Sequence, residues 1–162
     1  MAILKIANSI GKYYDNNSRE SVIEYITNPR KTLNKNIGVS AMEGCEYAKE
    51  MDEVASIYHK NTGVRLRHFI ISFESWEVND PEVAYQIGQD IAEYLGREYQ
   101  TVFSVHQDTD QLHIHIVINA VSYLDGHRYR GTRGEFYGFK EWVDMVLKRY
   151  GINRVRYLSN HS

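Results

Sequence analysis

His106, His113 and His115 are the residues whose types and spacing point most directly to chemistry. They belong to a run from His106 to Asn119 that alternates with period two from Leu112 onward, as a half-buried strand does. Leu112, Ile114, Ile116 and Ile118 fall on one face, and His113, His115, Val117 and Asn119 on the other. His106 arrives across a short polar turn holding Asp108 and Asp110. A single histidine on a strand is usually a hydrogen-bonded polar residue. Two on one strand face with a third opposite form a ligand set. Three neutral imidazoles hold a divalent metal and leave coordination positions open for substrate. Mn2+ or Zn2+ suits such a set better than Mg2+, which prefers oxygen.

The surrounding pattern predicts the elements that position these residues. Ala2 to Ala7 reads as a strand. Ser18 to Thr27 reads as a helix stopped by Asn28-Pro29, and Lys31 to Ser40 as a loop or short extended segment. Glu43 to Asn61 carries an amphipathic helical stripe, and Arg65 to Phe73 reads as a strand. Pro81 opens a helix that Gly96 closes. Glu98 to Val105 and Leu112 to Val121 read as an antiparallel hairpin, which brings His106 beside His113 and His115. A helix from Phe136 to Tyr150 and a strand from Val155 to Leu158 complete the chain. The expected fold is an α+β domain: a central antiparallel sheet with helices packed mainly on one face. The Ile row then meets the helices, and the His row is left free for substrate.

Composition narrows the class. The 162 residues suit one domain, 1–162. No apolar run is long enough to span a membrane, and the N-terminal apolar stretch is too short for a secretory signal. Cys45 is the only cysteine, which excludes internal disulfides and cysteine-based zinc fingers and fits a reducing compartment. The net charge of −2 hides segregation: residues 72–99 are mostly acidic, and residues 127–157 mostly basic. Arg128, Arg130 and Arg133, interleaved with Tyr129 and glycines, form a segment able to track a phosphate backbone and stack on bases. Arg30 and Lys31, with Lys35, form a second basic run.

The pattern His-x-Asp-x4-His-x-His-x3-Asn from His106 to Asn119 resembles the third motif of conjugative relaxases of the mobilisation (MobA-like) type, within the HUH endonucleases. The segment from Val22 to Thr32 is similar to their first motif, in which a tyrosine before a Pro and a Lys-Thr pair is the nucleophile. The segment from His68 to Phe73 is similar to their second motif, a strand ending in Ser-Phe. The order tyrosine, serine, His-x-His is the relaxase order. Where many relatives carry His or Asn, this chain has Gln111.

The resemblance implies an HUH relaxase fold of ferredoxin-like ancestry, with the metal site on the open sheet face. It implies metal-dependent, strand-specific nicking of single-stranded DNA at an origin of transfer, with strand rejoining, in a bacterial cytoplasm. Accessory relaxosome proteins and a coupling protein are the implied partners. Relatives usually carry a C-terminal extension, so an excised domain is one reading of this chain. Tyr25 is the implied nucleophile, forming a 5′-phosphotyrosine. The residues alone do not select it from thirteen tyrosines, and Tyr13 and Tyr14 compete. His106, His113 and His115 are the implied holders of Mn2+ or Mg2+, with Zn2+ as an alternative. Asp108 is expected to orient an imidazole or accept the tyrosine proton, against a plain turn-forming role. Arg30, Lys31, Ser72, Asn119, Arg128, Arg130 and Arg133 are the expected DNA contacts, with support of His115 as the other reading of Asn119.

Two other classes share the histidine pattern. One is a three-histidine metallohydrolase or oxygenase acting on a small molecule, which usually adds a carboxylate ligand. The other is a non-catalytic DNA-binding module.

Overall fold

A computed structural model describes residues 1–9 and 11–159. The elements run β1 (Ala2–Ala7), α1 (Ser18–Ile26), β2 (Ile37–Ser40), α2 (Tyr47–Ile57), β3 (Leu66–Ser72), α3 (Pro81–Gly96), β4 (Thr101–His106), β5 (His113–Asn119), α4 (Arg133–Arg149) and β6 (Val155–Ser159). They form one six-stranded sheet ordered β2-β4-β5-β3-β1-β6. Every neighbouring pair is antiparallel except β1 and β6, which run parallel. The sheet is therefore mixed, within an α+β architecture.

The alternation along β5 sorts the layers. Ile114, Ile116 and Ile118 are fully buried against Ile87, Ile91 and Leu95 of α3 and Phe139, Val143 and Val146 of α4. This face carries the two long helices. The other face is not left bare, as the sequence suggested. Val117 shares the His face, and with Val102 and Leu66 it seats Val22, Ile23 and Ile26 of α1 and Met51 of α2. Each such fully buried side chain contributes about 1.5–3 kcal/mol. Val117 in the His row, with Val102 and Leu66 from the neighbouring strands, thus anchors a helix beside the histidines.

Several boundaries differ from the sequence reading. β2 occupies the end of the segment read as a loop or short extended stretch; its Gly38 sits so close beneath Phe103 that a Cβ there would lie 2.2 Å from the ring. α2 is shorter at both ends. His59, at φ 56°, stops it, and Lys60 N donates to Ala55 O at 2.8 Å to close the last turn. α4 begins at Arg133 because Thr132 and Glu135 form a capping box.

Candidate active site

The three histidines converge through strand register. His106 of β4 pairs with His113 of β5, and His115 lies two residues further along the same face. The ring centroids are 5.2 Å apart for His106 and His113, 4.0 Å for His106 and His115, and 5.1 Å for His113 and His115. One ligand nitrogen from each lies within 4.8 Å of the others.

Each ring also spends its other nitrogen on the protein. His106 Nε2 donates to the carbonyl of Ile26 at 2.8 Å. That carbonyl belongs to the last turn of α1, where no intrahelical donor remains. His113 Nδ1 donates to Gln111 O at 3.2 Å. His115 Nδ1 lies 2.8 Å from Nε2 of His68, whose Nδ1 lies 2.9 Å from the Tyr13 hydroxyl. A held second nitrogen fixes the tautomer and orientation that ligation requires. Burial pushes His106 and His115 below the ordinary imidazole value, and pushes His68 down to about 3. The neutral, lone-pair-bearing forms therefore persist at neutral pH. The donor set fits a divalent transition metal.

Tyr25 stands over this cluster. Its ring centroid is 6.0 Å from that of His106 and 5.8 Å from that of His115, both edge-on. The helix explains the placement. Ser18, Arg19, Val22, Ile23 and Ile26 form the buried stripe of α1, and Tyr25 flanks it, 39% exposed. Lys12 Nζ and Lys31 Nζ lie 4.7 and 5.4 Å from the Tyr25 ring centroid. Lys31 donates to Asp108 Oδ2 at 3.1 Å, and Asp108 Oδ1 lies 3.9 Å from His113 Nε2. Burial pushes the Asp108 carboxyl slightly up, but the Lys31 hydrogen bond and charge hold it below the usual range. Ser72 pairs with His113 across the β3–β5 ladder.

The other two competing tyrosines are placed elsewhere. Tyr13 is buried behind His68, and burial pushes its hydroxyl up to about 12. Tyr14 is exposed. Arg65 clamps their loop by donating from its backbone to Tyr13 O at 2.7 Å and from its guanidinium to Tyr14 O at 3.2 Å.

Several expected DNA contacts are not brought to this cluster. Asn119 is fully buried, so the expectation that it touches DNA is corrected. It accepts from the Arg19 guanidinium at 3.0 Å and donates to Met51 O at 3.1 Å and Gln100 Oε1 at 3.0 Å. That network ties α1 and α2 to the sheet. Tyr129 is also buried, edge-on to Phe69 and Tyr99, so it offers no surface for base stacking. Arg128 bridges to Val121 beyond the far end of β5, and its guanidinium donates to Thr62. Arg130 is exposed on the same segment, and Arg133 is the first residue of α4. Val121, the bridge partner of Arg128, lies eight residues along the chain from His113, about 26 Å if extended. Arg30 is exposed in the turn after α1.

Sequence reasoning missed Lys12 and His68 as site neighbours, and weighed Tyr13 only as a rival nucleophile. His68 had a detectable signal, since it shares strand parity with Ser72. Lys12 had none, because only the folded loop brings it to Tyr25.

Comparisons with known proteins give the family. Residues 25–152 match the family described as relaxase, MobA/VirD2-like, nuclease domain. The chain is 30% identical over 109 residues to Protein rlx of Staphylococcus aureus, covering 67% of this chain and 34% of that protein. It is 33% identical over 143 residues to Protein TraI of Escherichia coli, covering 82% of this chain and 19% of that protein. A shorter match, 32% over 57 residues, links it to Protein MobA of Acidithiobacillus ferrooxidans, covering 35% of this chain and 14% of that protein. The chain thus spans about a third or less of the length of these relatives. With three histidines, a flanking tyrosine and this match, the chain belongs to the MobA/VirD2-like relaxase nuclease-domain family.

Proposed function

We propose that this chain nicks single-stranded DNA at an origin of transfer, with Tyr25 as nucleophile and His106, His113 and His115 as the holders of a divalent metal. The observation that carries this reading is the position of Tyr25, edge-on to two of the three histidines and flanked by Lys12 and Lys31. The Tyr25 oxygen attacks phosphorus and the bond to the 3′ oxygen breaks; the phenol's proton leaves to solvent and the 3′ oxygen takes one up from solvent, so a 5′-phosphotyrosine and a free 3′-hydroxyl result. The covalent link retains the phosphodiester, so the reverse attack rejoins the strand. A bound divalent ion supplies Lewis-acid stabilisation of charge on the nonbridging oxygens. Lys12 and Lys31 add positive charge where the phosphate approaches. An unassisted phenol is a poor nucleophile, and the two lysines would offset the negative charge that builds up around the phosphate during attack. A carboxylate held low is a weak base, so Asp108 serves better to place Lys31 than to take the tyrosine proton. The donor set favours Mn2+ or Zn2+ over Mg2+.

The test is incubation with labelled single-stranded DNA and Mn2+. The expected result is a denaturation-resistant protein–DNA adduct that maps to Tyr25. Binding without cleavage would instead support a DNA-binding module. Turnover of a small molecule without an adduct would support a metallohydrolase.

A further inference from the structure

His106 and His113 are each oriented by a backbone carbonyl, but His115 is oriented by another imidazole. That difference has a consequence in protons. A neutral imidazole has one N–H and one lone pair. His115 Nδ1 and His68 Nε2 are 2.8 Å apart, so a single proton lies between them. If His68 carries it, His115 accepts at Nδ1 and must place its own proton on Nε2, the nitrogen it offers to the cluster. That form cannot ligate. If His115 carries it, Nε2 keeps its lone pair and is ready for a metal. His68 must then hold its own proton on Nδ1, where the Tyr13 oxygen stands 2.9 Å away to accept it.

The chain Tyr13–His68–His115 therefore has two complete hydrogen-bonding directions, and one alone leaves His115 able to ligate. All three side chains are at least 96% buried, so solvent does not readily substitute for a missing partner. Among the described residues neither imidazole has another hydrogen bond.

We propose that His68 and Tyr13 are positioning residues that set the ligating tautomer of His115, by accepting its Nδ1 proton and passing the hydrogen-bond direction on to the buried phenol. The inference rests on the three-histidine metal reading. Glutamine at position 68 preserves the relay, since its carbonyl can accept from His115 while its amide donates to Tyr13. Leucine fills similar space and does neither. Phenylalanine at position 13 leaves His68 Nδ1–H without an acceptor but keeps the first bond.

The test uses Zn2+ as a diamagnetic probe on the whole chain with 15N-labelled histidine. In the Zn2+-loaded protein, NMR is expected to show both His115 and His68 protonated at Nδ1. A loaded protein with His68 protonated at Nε2 overturns the proposal. Calorimetric titration with Zn2+ and Mn2+ gives the second readout. His68→Leu is expected to weaken binding by about 10–100-fold. His68→Gln is expected to restore most of that loss, and Tyr13→Phe to show a smaller loss than His68→Leu. A folded His68→Leu protein that binds like the parent overturns the relay. If His68→Leu does not fold, the tautomer measurement and the Gln and Phe variants decide. His113→Ala separates the two levels. Should the parent protein take up no metal, or should His113→Ala bind undiminished, the three-histidine reading fails and the relay fails with it. Should His113→Ala lose binding while folded His68→Leu does not, the relay alone fails.

Discussion

His106 donates a hydrogen bond from Nε2 to the backbone carbonyl of Ile26 at 2.8 Å, across 80 residues of sequence. Ile26 directly follows Tyr25, so this bond joins the ligand cluster to the helix that carries the tyrosine. His106→Ala is expected to cost about 1–3 kcal/mol in the metal-free protein, because it leaves a helix-terminal carbonyl unpaired in a buried place. His113→Ala, partly exposed and bonded only at 3.2 Å, is expected to cost less than about 1 kcal/mol. Urea unfolding of both variants without metal measures the contrast. Equal costs would mean that the His106 bond does not hold α1.

Tyr25→Phe removes only an exposed hydroxyl that has no hydrogen-bond partner among the described residues. Its stability is expected to stay within about 0.5 kcal/mol of the parent, with metal affinity unchanged. Adduct formation on single-stranded DNA is expected to vanish. Tyr14→Phe is expected to retain the adduct. Mass spectrometry of the attached peptide checks the assignment, and an adduct on Tyr13 or Tyr14 would refute it.

Stability should fall on the acidic side. His68, buried, holds its neutral form down to about pH 3, whereas the unfolded chain protonates it near the ordinary value of 6.5. Between those values the unfolded state binds more protons, so stability is complete above about 6.5 and declines as pH falls toward 3. His106 and His115 shift in the same direction, chiefly through burial, and steepen the decline. Thermal melts of the metal-free protein from pH 7 to pH 4 are expected to show it. His68→Gln is expected to make the melting temperature less dependent on pH, and an unaltered pH profile in that variant would count against the buried neutral imidazole.

Asn119→Ala breaks a buried junction among Arg19, Met51 and Gln100. It is expected to cost roughly 2–4 kcal/mol, since several polar groups are left without partners at once. The fraction that remains folded is expected to bind DNA with undiminished affinity. A stable variant with weakened DNA binding would restore Asn119 as a DNA-binding residue.

Salt dependence separates the two basic regions. Replacing Lys12 and Lys31 by Gln is expected to lower the slope of log affinity against log salt by about 0.7 for each phosphate no longer neutralised. Replacing Arg128, Arg130 and Arg133 is expected to leave that slope unchanged for a short oligonucleotide bound at the histidines. It is expected to flatten the slope only for a strand long enough to reach the far end of β5, about 20 Å away. Identical effects on short and long strands would contradict this separation.

The sequence by itself determined the features that depend on local periodicity. Alternation along residues 112–119 assigns the histidines and the isoleucines to opposite faces, because side chains of a strand alternate. A short polar turn makes β4 and β5 neighbours and brings His106 opposite His113. The Asn28-Pro29 stop bounds α1, and Pro81 with Gly96 bounds α3. The capping box at Thr132 and Glu135 was also legible, and would have placed Arg133 in a helix rather than in a loop. Tertiary structure decided what covers the His face. Val117 looks alike in the sequence whether it meets solvent or a helix; packing against Val22 and Met51 makes it a seat for α1 and α2. The same packing buries Asn119, sets Tyr25 over His106 and His115, and brings Lys12 to the tyrosine ring. The pairing of His68 with His115 depends on the β3–β5 register, and that of His68 with Tyr13 on a loop held by Arg65. Local pattern specifies the direction of a side chain along its own element. It does not specify which distant element arrives there, because that choice is made by the collective burial of apolar surface.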